Sequence, residues 1–212
     1  MAWIKASAED PKPLLVGASR DGVLFLVDFA KLNFVGVTAS GGGGIFALES
    51  LSAIPGCESL VVAGCEDGSV RIFEYKENGS FLLVSSIPTA GAAILSLTWK
   101  QRYTAGTSLD GLTIFASVAD GTIRRYDGTD QLDRVTWKSA TRITVESRGR
   151  NIATRVWALC ILQDGTLISA DSLGQVQFWD SETGSLKQTI EQSDSKADVL
   201  DLAVSTDETN SN

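Results

Sequence analysis

The clearest indication of the fold is the stretch AGCEDGSVRIFEY, residues 63–75. An apolar run leads into Asp67-Gly68, and a run that alternates between apolar and polar residues follows it. Asp-Gly is favoured at two-residue β-hairpin turns because both central residues there need positive φ, which glycine adopts freely and aspartate tolerates. The stretch therefore predicts a β-hairpin that turns at Asp67 and Gly68.

The same pattern occurs four times in the chain. The other copies are LLVGASRDGVLFLVD (14–28), TIFASVADGTIRRYD (113–127) and LISADSLGQVQFWD (167–180). The predicted turn residues are Asp21, Gly22, Asp67, Gly68, Asp120, Gly121 and Gly174. The fourth copy has Leu173 in the place of the aspartate and ends in Trp179-Asp180, an aromatic-acid pair. Because a regularly spaced pattern indicates a repeat architecture, we expect four equivalent structural units.

Two further strands fit between successive hairpins. Candidate inner strands precede the hairpins at 2–7, 45–53, 93–99 and 155–162, and candidate outer strands follow them at 33–39, 81–87, 134–145 and 186–190. Four strands in a period of about 40–50 residues are typical of a β-propeller blade. We therefore predict an all-β chain that forms about four blades of a propeller.

The predicted propeller domain covers residues 1–205. Its blades are expected at about 2–40, 45–88, 93–147 and 155–191, with an extra strand at 198–205 and a disordered tail at 206–212. A lone strand leaves backbone groups without partners, so we expect a partial propeller that belongs to a longer protein. The alternative is a closed ring of four blades in which the last strand completes the first blade.

The composition excludes several classes of active site. The chain has no histidine, which rules out Ser-His-Asp triads and HExxH zinc sites. Its three cysteines have no CxxC spacing, so neither a disulfide framework nor a zinc site is indicated. No apolar run is long enough for a membrane span, and the first residues lack the core of a signal peptide. We predict an intracellular protein without enzymatic activity, cofactor, metal, membrane association or small-molecule substrate.

Two local patterns resemble functional sites but have simpler explanations. Asp164, Asp171 and Asp180 lie close together in the sequence, but each occupies a turn or a strand end, where aspartate is common. The run SGGGG at 40–44 lacks the Gly-Lys-Ser/Thr ending of a phosphate-binding loop and precedes a predicted strand rather than a helix. We interpret the three acids as structural and the glycines as a flexible connector between blades.

The charge distribution points to one segment with a different surface. The net charge is −8, yet residues 124–155 contain eight basic and four acidic side chains. The spacing between blades also widens at 128–155, so these residues form either a solvated mobile loop or a contact surface for RNA phosphates or an acidic neighbouring subunit. The predicted contact residues are Lys138, Arg142, Arg148, Arg150 and Arg155, with Trp137 as an exposed stacking residue.

The aromatic-acid pair that ends a hairpin such as ADGTIRRYD resembles the WD40 repeat. The stretch GTLISADSLGQVQFWDSETGSL (165–186), preceded by RVWALCILQDGT, resembles more narrowly the cirhin-type WD40 proteins, which are nucleolar subunits of the early transcription-linked subcomplex of the small-subunit processome. The residues that fall on this family's pattern are Val156, Trp157, Asp164, Gly165, Thr166, Ser169, Asp171, Ser172, Gly174, Val176, Gln177, Phe178, Trp179, Asp180, Ser181, Thr183, Gly184 and Leu186. VAGCEDGSVRIFE and ILSLTW resemble the corresponding stretches of two other blades.

This resemblance implies a function that the composition does not. It implies a non-catalytic scaffold in small-subunit ribosome biogenesis and pre-rRNA processing, located in the nucleolus, with other processome subunits and pre-rRNA as partners. The alternative is a general WD40 adaptor such as a ubiquitin-ligase substrate receptor. Since histidine is absent, the Asp-His-Ser/Thr-Trp tetrad of many WD40 blades cannot be completed here, and packing must make the blades rigid.

Overall fold

The computed structural model describes residues 1–5, 13–51, 57, 59–88, 91–101, 109–131, 134–145, 153–191 and 197–204. Within them the chain forms strands β1 to β16. These are β1 (Ala2–Lys5), β2 (Pro13–Ala18), β3 (Val23–Asp28), β4 (Asn33–Ala39), β5 (Ile45–Ser50), β6 (Leu60–Cys65), β7 (Val70–Tyr75), β8 (Phe81–Ile87), β9 (Ile94–Gln101), β10 (Leu112–Val118), β11 (Thr122–Gln131), β12 (Arg134–Thr144), β13 (Val156–Ile161), β14 (Thr166–Asp171), β15 (Gln175–Asp180) and β16 (Leu186–Glu191).

The strands form four antiparallel sheets, each of four strands in sequence order. We call them blade 1 (β1–β4), blade 2 (β5–β8), blade 3 (β9–β12) and blade 4 (β13–β16). The second and third strands of each blade are the hairpin pairs that the repeated pattern predicts. The prediction of an all-β chain with about four propeller blades is therefore confirmed, whereas the exact domain boundaries stay predictions.

The turn type differs from the one expected. Gly22, Gly68, Gly121 and Gly174 all have positive φ, between 78° and 83°, but the residue before each of them does not. The glycine N–H donates to the carbonyl three residues earlier, as Gly68 does to Cys65 at 3.2 Å. This is a type I turn closed by a left-handed glycine, so the prediction of positive φ at the preceding aspartates is wrong.

The hydrophobic core lies between blades rather than inside a single layer. The innermost strands follow one another, since β1 contacts β5, β5 contacts β9 and β9 contacts β13; no contact of comparable extent joins β13 to β1 among the described strands. Fully buried side chains such as Leu24, Ile72 and Phe115 fill the spaces between adjacent sheets. Burial of a large aliphatic or aromatic side chain contributes about 1.5–3 kcal/mol, so each blade is stabilised mainly by its neighbours.

The third blade has the longest hairpin. Its strands β11 and β12 pair beyond the end of β10, from Gly128 opposite Trp137 to Gln131 opposite Arg134. Among the described residues of the predicted segment 128–155, those that belong to β11 and β12 therefore lengthen a two-stranded ribbon and do not form a loop. A repeated pattern fixes the spacing of the hairpins but does not say whether inserted residues continue the strands.

Residues 197–204 follow blade 4 without forming a strand, although the sequence predicted one at 198–205. The Val199 N–H donates to the carbonyl of Asp171 at 3.0 Å, and the Ile45 N–H donates to the carbonyl of Ser19 at 3.1 Å. Ser19 and Asp171 each lie three residues before a turn glycine, so these two contacts are equivalent. Val199 thus lies against blade 4 as the first residue of β5 lies against blade 1.

Candidate interaction surface

The hairpin turns and the connections between blades lie at the same end of the sheets, which we call the turn face. Ser40 donates its N–H to the carbonyl of Gly22 at 2.7 Å, and Val145 donates to that of Gly121 at 3.1 Å. In blade 4, the Ser172 N–H donates to the carbonyl of Arg155 at 2.9 Å. These backbone bonds fix each turn against a neighbouring connection, so the turn face is an ordered surface.

In blade 2, Asp67 organises its hairpin through its side chain. Its Oδ1 accepts hydrogen bonds from the N–H and the hydroxyl of Ser69 at 2.8 and 2.6 Å, and its Oδ2 lies 3.0 Å from the Arg71 guanidinium. Burial raises the pKa of Asp67, but the hydrogen bonds from Ser69 and the nearby Arg71 outweigh it and hold the pKa below its usual range. The carboxylate is therefore a structural acceptor.

Blade 3 repeats this arrangement at Asp120. The carboxylate accepts from the N–H and the hydroxyl of Thr122 at 3.1 and 2.5 Å, and the Arg124 guanidinium lies 2.7 Å from its Oδ2. Burial again raises the pKa of Asp120, and the bonds from Thr122 and Arg124 lower it further than burial raises it. In blade 1, the corresponding Asp21 is exposed. The spacing Asp-Gly-Ser/Thr-x-Arg is the sequence signal for this turn.

Blade 4 stabilises its turn with a different aspartate. Leu173 replaces the turn acid, but Asp171, which is fully buried, accepts the N–H groups of Leu173 and Gln175 at 2.8 and 3.0 Å. Asp164 accepts the N–H of Thr166 at 2.8 Å. Asp180 accepts two backbone N–H groups, from the two residues after Ser181. All three carboxylates thus act as acceptors in turns, and this arrangement offers no paired acid and base.

The connection at 40–44 is closely packed, whereas the sequence suggested a flexible connector. Gly44 donates its N–H to the Glu66 carboxylate at 3.1 Å, and the carbonyl of Gly42 accepts from the Asp67 N–H at 3.0 Å. A Cβ on Gly44 would lie 2.7 Å from the carbonyl oxygen of Arg20. The glycines allow this close approach of the turns of blades 1 and 2, a tertiary requirement that the run itself does not reveal.

The two predicted contact residues of the described strand β12 do not share one face of the sheet. Lys138 and Arg142 are exposed on β12, opposite Asp127 and Arg124 respectively. Lys138 and Arg142 are four residues apart on β12, but a β-bulge leaves Ala140 between them without a partner, so the two side chains point to opposite faces of the sheet. The Arg142 guanidinium lies 3.8 Å from Asp120.

Of the other predicted contact residues, Arg155 lies at the connection into blade 4. Arg155 is exposed and stacks over the Trp157 ring at 5.6 Å. Arg148 and Arg150 lie outside the described residues. Trp137 differs from the expected exposed stacking residue, because its ring is half-buried between blades 2 and 3 and its Nε1–H donates to the Ser85 hydroxyl at 2.8 Å.

Comparison with known proteins relates this architecture to one family. No protein-family model matches the chain. It is 35% identical over 196 residues to the U3 small nucleolar RNA-associated protein 4 homolog of Mus musculus and 31% identical over 199 residues to that of Homo sapiens, each alignment covering 92% of this chain. It is 30% identical over 160 residues, 75% of this chain, to U3 small nucleolar RNA-associated protein 4 of Schizosaccharomyces pombe.

The chain is homologous to the cirhin-type WD40 proteins. The resemblance predicted from the fourth repeat is therefore confirmed. The chain spans 26% of the length of the mouse and human relatives and 20% of that of the fission yeast relative.

The cirhin-type pattern of blade 4 contains part of the WD40 tetrad. Trp179 is almost fully buried, and its Nε1–H donates to the hydroxyl of Ser169 at 2.9 Å. These two residues are the Trp and Ser/Thr members of the Asp-His-Ser/Thr-Trp arrangement. The histidine that would continue this hydrogen-bond network does not occur in the chain. One indole–hydroxyl bond thus links the two central strands of this blade.

A partly buried ionic cluster joins blades 3 and 4, and the sequence did not reveal it. The Arg125 side chain is 3% exposed and contacts Asp127 at 3.0 Å and Glu182 at 2.7 Å, while its guanidinium also donates to the carbonyl of Ser181 at 2.9 Å. Lys100 contacts the second Glu182 oxygen at 2.7 Å. Hydrogen bonds from Arg125 and Lys100 lower the pKa of Glu182.

The described residues contain no group of three or more His, Cys, Asp or Glu side chains that could hold a metal ion. In the same part of the chain, no helix has the length and apolar character needed to cross a membrane.

Proposed function

We propose that this chain acts as a non-catalytic scaffold in small-subunit ribosome biogenesis, within the small-subunit processome of the nucleolus. The observation that carries the proposal is the match to U3 small nucleolar RNA-associated protein 4 homologs over 92% of the chain. Those names state an association with U3 small nucleolar RNA. Pre-rRNA processing is the corresponding process, and other processome subunits are the corresponding partners.

The structure suits a scaffold because it presents ordered loops on a rigid support. Backbone hydrogen bonds hold the turn face, and the spaces between blades are filled with buried apolar side chains. Loops held by a rigid framework are where binding residues are usually found. The carboxylates that resembled catalytic candidates, Asp164, Asp171 and Asp180, are engaged in turns, which supports a binding role over catalysis.

The proposal is tested by purifying the epitope-tagged full chain from cells under native conditions. We expect enrichment of U3 small nucleolar RNA and of pre-rRNA relative to a spliceosomal small nuclear RNA, together with a nucleolar signal in microscopy. Ubiquitin-ligase subunits in the purified material, with neither RNA enriched, would contradict the proposal and favour the general WD40 adaptor.

Contact with pre-rRNA or an acidic neighbouring subunit is proposed for Lys138, Arg142, Arg148, Arg150 and Arg155. Charge reversal at all five positions should weaken retention of a pre-rRNA spacer fragment in a filter-binding assay if the RNA contact is direct. Each lost phosphate contact should also reduce the salt dependence of binding, since fewer counterions are released. Unchanged retention would exclude direct RNA binding by these residues.

A further inference from the structure

The outer edge of blade 3 differs from the outer edges of the other blades in length. The outermost strand β12 has 11 residues, whereas β4 and β8 have 7 each and β16 has 6. Within the described sheets, β12 pairs with β11 on one side and ends its sheet on the other. A terminal strand presents unpaired backbone N–H and C=O groups and can accept another strand.

The outer edge of blade 3 also differs in charge from the outer edges of the other blades. The β12 sequence RVTWKSATRIT has three basic residues and no acid, while β4 and β8 have no charged residue and β16 has one lysine and one glutamate. Lys138 and Arg142 are exposed on opposite faces of β12, so positive charge lies on both sides of the edge. The whole chain has a net charge of −8, which makes this edge a local exception.

The strand is fixed from both sides, which lowers the entropic cost of adding a partner. Trp137 is hydrogen-bonded to Ser85 of blade 2. On the other side, Ile143 is buried in the core between blades 3 and 4, and a Cβ on Gly184 would lie 2.9 Å from the Thr141 side chain. A preorganised edge loses little conformational freedom on binding.

We propose that β12 binds an extended acidic peptide segment, which adds to blade 3 as a fifth antiparallel strand. Backbone hydrogen bonds would hold the segment, and acidic side chains on each of its faces would lie opposite Lys138 and Arg142. Cross-strand pairs of opposite charge are favourable and like-charged pairs are not, so the edge disfavours a second copy of β12 and selects an acidic strand. This inference goes beyond the proposed function and does not depend on which assembly the chain joins.

The test measures the fluorescence anisotropy of a labelled valine-rich peptide of about nine residues, with glutamate at every third position so that both faces of the extended strand carry acids, titrated with the purified full chain. A peptide in which proline replaces each valine has the same charge but lacks the amide protons at those positions. We expect saturable binding of the first peptide and at least about tenfold weaker binding of the second, because proline cannot donate to a strand ladder.

Charge variants locate the binding site. The double variant Lys138→Glu/Arg142→Glu should weaken binding about tenfold or more, whereas Lys187→Glu on the edge strand β16 should change it less than about twofold. Circular dichroism establishes that each variant is folded. Equal binding of the proline peptide, or equal weakening by both charge variants, would overturn the proposal. A uridine oligonucleotide that binds to β12 while the valine peptide does not would overturn it in favour of a nucleic-acid surface.

Discussion

Blade 3 contacts its two neighbours through different chemistry. Towards blade 2 it buries aliphatic side chains such as Ile94 and Ile114, and towards blade 4 it combines Phe115 with the Arg125–Glu182 ionic cluster. Successive residues of a strand point to opposite faces, so one sheet can present an apolar surface and a partly ionic one. Equivalent positions in a propeller therefore need not be stabilised by equivalent interactions.

The largest expected effect comes from the apolar parts of the two interfaces. Ile114 and Phe115 are adjacent on β10, nearly inaccessible to solvent, and directed towards blades 2 and 4 respectively. Ile114→Ala and Phe115→Ala should each lower the free energy of unfolding by about 3–4 kcal/mol, because each leaves a cavity. Urea denaturation measures this. A loss below about 1 kcal/mol for either variant would show that the corresponding interface is not well packed.

The glycine that connects β15 to β16 in blade 4 should have the next largest effect. Gly184 has a φ of 74°, and a Cβ there would lie 2.9 Å from Thr141 on β12. Gly184→Ala should cost about 2–3 kcal/mol through backbone strain and the clash across the interface. Gly79→Ala is the matched control, since Gly79 has a φ of 85° and no neighbour within 4 Å. Equal losses for the two variants in urea denaturation would exclude the interface contact as a cause.

Removal of the buried guanidinium should have a smaller effect. Arg125→Met leaves Asp127 and Glu182 without their common partner but keeps an apolar side chain of similar length. We expect a loss of about 1–2 kcal/mol, since the Glu182 side chain is 57% exposed and water screens part of the interaction. Differential scanning calorimetry measures this. Lys31→Met, which removes an exposed cation of blade 1, is the control and should be nearly neutral.

The smallest expected effect is a pH dependence confined to the ionic interface. Arg125 and Lys100 hold the pKa of Glu182 below its ordinary value of 4.5. A carboxylate with a lowered pKa stabilises the folded state above its unfolded-state pKa, and this contribution disappears as the pH falls through the folded-state value. The stability difference between the wild-type chain and Arg125→Met should therefore decrease by under about 1 kcal/mol between about pH 6 and pH 3.

Chemical denaturation at both pH values measures this change. Ile114→Ala provides the control, because the cost of an apolar cavity should stay the same over that range. A constant difference between the wild-type chain and Arg125→Met would show that Glu182 protonation does not weaken the interface.

The sequence was sufficient for the parts of the fold that depend on local chemistry. Turn glycines such as Gly68, flanked by alternating apolar residues, indicated the central hairpin of each blade, and the intervening apolar runs indicated the inner and outer strands. Local patterns succeed here because strand alternation and glycine turns involve residues close in the chain. The cirhin-type resemblance rested on the same hairpin in blade 4.

Interactions between distant residues could not be predicted in this way. The Arg125 guanidinium contacts the carbonyl of Ser181, 56 residues later, and nothing in the sequence distinguishes Arg125 from the adjacent Arg124, which pairs with Asp120 of its own hairpin. Trp137 looked exposed because its neighbours are polar, yet its ring is packed beside Ser85, 52 residues earlier. The dense packing of the glycines at 40–44 likewise depends on the approach of two separate turns.

The lengthened β11–β12 ribbon of blade 3 shows that residues can be added to this fold without changing its innermost strands. The additional pairs from Gly128 to Gln131 are all at the periphery, while β9 keeps its contacts with β5 and β13 near the axis. Insertions at the rim can therefore accumulate during evolution, and a new recognition element can be gained there, while the geometry that sets the angle between sheets is left unchanged.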